Sequence, residues 1–168
     1  MLCMGVVAEP KSAESPQPLA ANLNWLLAQA SHTLNTELTA ALERLFVSPR
    51  GYCVLSAAMS GEYTQTEIAQ MVGLDKTTMV VTLDQLEADG LAKRVPSSQD
   101  RRARVVAVTK AGERKVAEAE KVVDQIHADV LAALPAGQRK QFVEALTCLV
   151  GGRLSEPVQC SQPVRRRS

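Results

Sequence analysis

The chain has 168 residues, 46% hydrophobic and 22% charged, with a formal net charge of +1. This is the profile of a globular chain with a real core and not of a polycation, so any affinity for nucleic acid has to sit in local patches. Aromatic residues make up only 3%, which argues against a stacking platform for single strands, and no apolar run reaches the ~18 residues of a membrane span.

Residues 1–18 hold Pro10, Pro16 and Pro18 among Ser, Glu and Gln and read as a disordered tail. Met1 to Ala8 is apolar but lacks a charged start and is too short for an export signal, so a cytoplasmic location is expected. From Leu19 a long helix is predicted, over residues 19–47. Its stripe is Leu23, Leu26, Leu27, Ala30, Leu34, Leu38, Ala41, Leu42 and Leu45, with Trp25 and His32 beside it. Ser48-Pro49 is a cap followed by a first-turn proline and opens a second helix through Tyr52, Val54, Leu55 and Ala58, ending by Gly61.

The next stretch is the most informative. Thr64 and Glu67 form a T-x-x-E capping box, so a short helix should start at Gln65. Gly73 supplies a turn, Asp75 caps another helix, and Gly90 suits the left-handed position that follows a helix end. Two short helices around a glycine turn make a helix-turn-helix, whose second helix can enter the DNA major groove. On that helix Met79, Leu83 and Leu86 face a core, with Thr82 at the margin, while Thr77, Val81 and Asp84 point away. The outward Val80-Val81 pair fits methyl contacts to thymine, or equally packing on a neighbouring helix.

Beyond Gly90 the period changes. Leu91–Val95 and Arg104–Val108 are short β-prone runs around a polar turn. Lys93, Arg94, Arg101, Arg102 and Arg104 stand there against Asp100 alone. A basic hairpin directly after a helix-turn-helix is a wing, placed to meet phosphate or a minor groove. We expect Asp100 to hold the turn by pairing with a nearby arginine. Thr109 then caps a long helix with a seam at Val116, Ala119, Val123, Ile126, Val130 and Ala133. Leu134-Pro135 breaks it, and Phe142, Leu146, Leu149 and Val150 mark a last helix ending at Gly151-Gly152. Residues 153–168, closing on Arg165-Arg166-Arg167, read as a disordered basic tail.

The four cysteines, Cys3, Cys53, Cys148 and Cys160, form no C-x-x-C, and His32 and His127 are the only histidines. No metal and no cofactor are expected. Cys53 and Cys148 read as small core residues, whereas Cys3 and Cys160 lie in the tails.

The fold expected is mainly α: a winged helix-turn-helix over residues 48–108, with long helices at 19–47 and 109–152 forming a dimerisation region. A winged helix does not need those apolar stripes, and a second copy of the chain is the better partner for them. Twofold symmetry would set two recognition helices in successive major grooves ~34 Å apart, on a pseudo-palindromic site.

Several runs together, Leu74-Asp75-Lys76-Thr77-Thr78, Leu83-Asp84-Gln85-Leu86-Glu87, Gly90-Leu91, Asp100-Arg101-Arg102-Ala103 and Thr109-Lys110-Ala111-Gly112, resemble the multiple-antibiotic-resistance regulator (MarR) family. Val81 stands where many members carry arginine, Val108 replaces a leucine, and the wing lacks the common Asp-Pro. The resemblance implies an obligate homodimer on double-stranded DNA, with a small-molecule pocket between the terminal helices and the winged helix. The DNA-binding residues assigned are Gln65, Thr66, Lys76, Thr77, Thr78, Val81, Asp100, Arg101 and Arg102. Some relatives sense oxidants through a cysteine near the start of the first helix, a position that Cys3 precedes.

The expected function is a sequence-specific transcriptional regulator, a repressor released by a small ligand or an oxidant. The alternative is a winged helix used only for protein contacts, suggested by Asp84, Glu87 and Asp89 on the recognition helix. An enzyme is not expected, because no G-x-S-x-G, H-E-x-x-H, P-loop or dinucleotide glycine motif occurs.

Overall fold

The computed structural model describes residues 19 and 21–155. The two expected tails fall outside them, save Leu154 and its neighbours, and so do Cys3 and Cys160. In order the elements are α1 (Leu23–Leu42), a 3-10 turn (Glu43–Leu45), α2 (Pro49–Met59), α3 (Gln65–Met71), α4 (Lys76–Ala88), β1 (Ala92–Pro96), β2 (Arg104–Val108), α5 (Lys110–Ala132) and α6 (Ala136–Gly151). The chain forms two compact units, Met1–Glu120 and Lys121–Ser168. No helix of the described residues is long and apolar enough to cross a membrane.

In the first unit, α2 is the hub and touches α1, α3, α4 and β2. Ser48 accepts the Gly51 N–H at 3.0 Å and so starts α2, as its Ser-Pro text predicts. Gly51, Val54, Leu55 and Ala58 then recur at helical spacing and are buried. The largest fully buried side chains are Leu42 from α1, Val54 and Leu55 from α2, Ile68 from α3, and Met79 and Leu83 from α4. β1 and β2 pair antiparallel from Ala92↔Val108 to Pro96↔Arg104. The Val106 N–H donates to the Tyr63 carbonyl at 2.9 Å, which ties β2 to the entry of α3.

The exit from the sheet is tight. Thr109 accepts the Gly112 N–H at 3.1 Å and donates to the Gly90 carbonyl at 2.8 Å, capping α5 and holding it to the end of α4. A side chain at Gly112 would collide with the Leu91 carbonyl oxygen and come within 2.7 Å of Val108 Cγ1. Only glycine permits that approach. In the second unit, Arg139 donates to the Leu134 and Ala132 carbonyls at 3.0 and 3.1 Å and so satisfies the frayed end of α5.

Three expectations need correction. The first helix starts at Leu23, not Leu19, because Asn22 accepts the Trp25 N–H at 2.9 Å and fixes the start there. It also ends early: the 3-10 turn leads to Phe46, left-handed at φ 52 and 86% exposed. Of the α1 stripe only Leu42 is buried within this chain. Cys53 and Cys148 are exposed rather than core. Cys53 lies one position off the buried face of α2, and α6 has no buried residue at all.

Candidate nucleic-acid interface

The interface is built from caps. Thr64 closes its box on Glu67, with the Thr64 N–H donating to the carboxylate at 2.7 Å and the Glu67 N–H to the Thr64 hydroxyl at 3.3 Å. Asp75 accepts both the Thr78 N–H, at 2.9 Å, and the Thr78 hydroxyl, at 2.6 Å. These bonds favour the ionised carboxylates. The Thr64 N–H and hydroxyl hold Glu67 below its ordinary value, and the Thr78 hydroxyl and N–H do the same for Asp75. Gly73 at φ 68 and Gly90 at φ 69 take the left-handed turns before and after α4.

On α4 the sidedness is as expected. Met79, Leu83 and Leu86 are buried, Thr77, Asp84 and Gln85 are exposed, and Val80 is half-buried. Val81 is 65% exposed, so no helix among the described residues covers it. Gln65, Thr66 and Lys76 come together along one groove of about 370 Å³ between α3 and α4. Thr78 keeps less freedom than its neighbours, because its hydroxyl proton is committed to Asp75. A second groove, of about 440 Å³, has Val81 and Gln85 on one wall, Asn35 and Thr39 of α1 on another, and Arg50 at the start of α2. Arg50 was not among the expected site residues; its signal was the Ser-Pro-Arg start of a helix facing the outward side of α4.

The wing carries Lys93, Arg101, Arg102 and Arg104, all exposed and without an ion pair among the described residues. Asp100 does not pair with a guanidinium. Its carboxylate accepts the Arg102 N–H at 2.9 Å, because so short a side chain reaches the backbone two residues on. Ser97 accepts the Gln99 N–H at 3.1 Å. Glu62, before α3, accepts the Ser98 N–H at 3.1 Å and the Ser97 hydroxyl at 3.2 Å, bracing the wing to the body. Ser98, through hydroxyl and N–H, together with the Ser97 hydroxyl, holds the Glu62 carboxyl below its ordinary value.

Arg94 is not a free wing cation. It donates to Asp84 at 2.7 Å, to Glu87 in a close pair, and to the Gln65 carbonyl oxygen at 3.2 and 3.3 Å. The basic excess of the hairpin is smaller than its text implies by this one charge. Sequence reasoning missed the pairing because it joins strand to helix and shows no helical spacing.

A capped helix pair followed by an exposed basic hairpin on a two-stranded sheet defines a winged-helix DNA-binding protein. A sequence profile of the MarR family matches residues 47–103 of this chain. The CouR protein of Rhodococcus jostii RHA1, in a structure with p-coumaroyl-CoA, is 26% identical at a TM-score of 0.72, over 86% of this chain and 100% of that one. CouR, described as a transcriptional repressor, is also known on a 23-mer DNA duplex, with 26% identity, TM-score 0.69 and coverages of 79% and 94%. A MarR family protein of Mycobacterium tuberculosis, in complex with p-aminosalicylic acid, shows 28% identity and TM-score 0.65, over 77% of this chain and 98% of that one. The protein is a DNA-binding transcriptional regulator.

Proposed function

We propose that the chain acts as a homodimeric repressor that reads a pseudo-palindromic operator and is released by a small molecule. The observation that carries the DNA reading is the exposed face of α4, with Thr77 and Val81 open to solvent beside a wing of unpaired Arg101 and Arg102. Lys76, Thr77, Thr78 and Val81 reach base edges, Gln65 and Thr66 position the helix on phosphate, and Asp100 shapes a wing whose Arg101 and Arg102 meet phosphate or minor groove. The dimer reading is supported by open apolar side chains on the long helices: Leu23 and Leu26 of α1, and Phe142, Val143 and Val150 of α6.

Relatives that hold p-coumaroyl-CoA and p-aminosalicylic acid support a small-molecule effector, and the groove beside Val81, Gln85 and Arg50 has the volume for one. An oxidant is the weaker trigger. Cys53 is an exposed residue, yet its sulfur is desolvated enough to push the thiol up, away from a reactive thiolate. The protein-contact reading loses its motive, since Arg94 pairs Asp84 and Glu87, and Asp89 accepts the Gln85 amide at 3.0 Å.

Selection from a randomised duplex library tests the proposal. Enrichment of an inverted repeat with half-sites one helical turn apart is expected; enrichment of nothing, or of an unrepeated site, overturns it. With Val81 in place of a long cation, A·T-rich half-sites are expected at that position.

A further inference from the structure

Arg94 joins three elements through one side chain. Its guanidinium reaches Gln65 at the start of α3 and Asp84 and Glu87 on α4, while its own backbone N–H donates from β1 to Glu87 at 2.7 Å. Arg94 keeps 28% of its side-chain exposure, Glu87 31% and Asp84 60%, so the cluster sits at the surface edge and not in the core.

The placement of the acids makes this contact consequential. Asp84 shares the outward side of α4 with Thr77 and Val81. Unpaired carboxylates there would oppose phosphate as the helix entered a groove. A guanidinium stays charged at every physiological pH and has donors alone. It therefore offsets one of the two negative charges while hydrogen-bonding both carboxylates, and it takes the Gln65 carbonyl oxygen as a further acceptor. The Gln65 amide N–H₂ has no partner among the described residues, and Gln65 lines the groove between α3 and α4, so a free donor is left there, suited to phosphate oxygens or purine acceptors.

We propose that Arg94 is a positioning residue for DNA binding: it offsets part of the negative charge of Asp84 and Glu87 on the recognition helix and fixes Gln65 with its amide N–H₂ toward the DNA. The inference rests on the DNA reading of α3 and α4 given above, and it adds a residue that touches no DNA itself.

The test uses the full-length chain, a duplex enriched by the wild type from a randomised library, and a random-sequence duplex of equal length. Arg94→Gln is expected to weaken binding to the enriched duplex about tenfold or more, as uncompensated acids meet phosphate. Adding Asp84→Asn and Glu87→Gln to Arg94→Gln should recover most of that loss, although further ionic contacts are removed. A mere structural brace gives the opposite, a triple variant no better than Arg94→Gln, and that result overturns the charge-offsetting role. Arg94→Gln binding like the wild type overturns it too. Arg94→Lys keeps the charge without the planar fork, so affinity for the random duplex should hold while preference for the enriched duplex falls. Full preference in Arg94→Lys overturns the Gln65 part. Melting curves separate folding from binding. Should Arg94→Gln not fold, a folded triple variant that binds about tenfold or more below the wild type decides against the proposal, and one close to the wild type supports it. A wild type that enriches no duplex overturns the DNA reading itself, whatever the variants do.

Discussion

The winged helix and the helices α1 and α6 treat their apolar side chains in opposite ways. Within the first unit Leu55, Ile68, Met79 and Leu83 are fully buried by neighbours in the same chain. On α1 and α6, side chains of the same kind stand in water: Leu23 is 59% exposed, Leu26 43% and Val150 63%, whereas α5 buries Val116, Ala119, Val123 and Ile126. Burial contributes about 25 cal/mol per Å² of apolar surface, so the first region is stabilised by its own closure and the second holds that free energy in reserve. In the dimeric reading proposed above, α1 and α6 carry the surfaces that assembly would cover.

The sharpest way to break this contrast is to alter one leucine on each side of it. Leu83→Ala should destabilise the fold by about 2–5 kcal/mol, read as a fall in melting temperature. Leu26→Glu should instead leave the far-ultraviolet circular dichroism spectrum unchanged and convert a dimer to monomers in light scattering. A Leu26→Glu protein that stays dimeric at micromolar concentration removes α1 from the interface.

Gly112→Ala probes closure at a single atom. The added methyl meets the Leu91 carbonyl and Val108, backbone and β-branched groups that give little, so a loss of about 1–3 kcal/mol is expected in denaturant melts. An unchanged midpoint would show that the start of α5 can shift freely.

Next in size are the caps. Thr64→Ala should cost about 1 kcal/mol. The lowered values of Glu67, Asp75 and Glu62 set the sign with pH. Depressed carboxylates add stability that is complete above their unfolded values of about 4 and disappears as pH falls through the folded values. Acid titration should therefore loosen the helix-turn-helix and the wing root while neutral and mildly alkaline solutions do not. The acid loss should be smaller in Thr64→Ala than in the wild type; an equal loss would detach the Glu67 shift from the cap.

The smallest effect concerns the wing. Arg102→Ala should flatten the log–log salt dependence of DNA binding by ~0.9 per phosphate contact removed, with little change in melting. Equal slopes for the two proteins would take Arg102 away from the DNA.

The caps were legible because each is a local pairing written within four residues: Thr64 with Glu67, Ser48 with Gly51, Asp75 with Thr78. The inward face of α4 was legible for the same reason, since Met79, Leu83 and Leu86 repeat at helical spacing. What could not be read was set by geometry between elements. Arg94 sits 29 residues from Gln65 and 10 from Asp84, in a strand whose period says nothing about a helix beside it. The stripe of α1 was visible, but whether it is covered by this chain depends on tertiary packing and not on periodicity. Phe46 is another such case, because no local signal asks for an aromatic side chain in a left-handed conformation.

One joint has a further consequence, for the lengths this chain can tolerate. Between β2 and α5 lies Thr109 alone, bonded at once to Gly90 and Gly112. An extra residue there would turn everything downstream in α5 by ~100° about its axis and carry Gly112 off the Leu91 carbonyl. At the wing tip, from Ser98 to Arg102, an insertion only lengthens an exposed loop, at an entropic cost that grows with the logarithm of its size. Deep insertion scanning should find the wing tip permissive and the Thr109 joint closed, a boundary between elastic and fixed chain drawn by a single threonine.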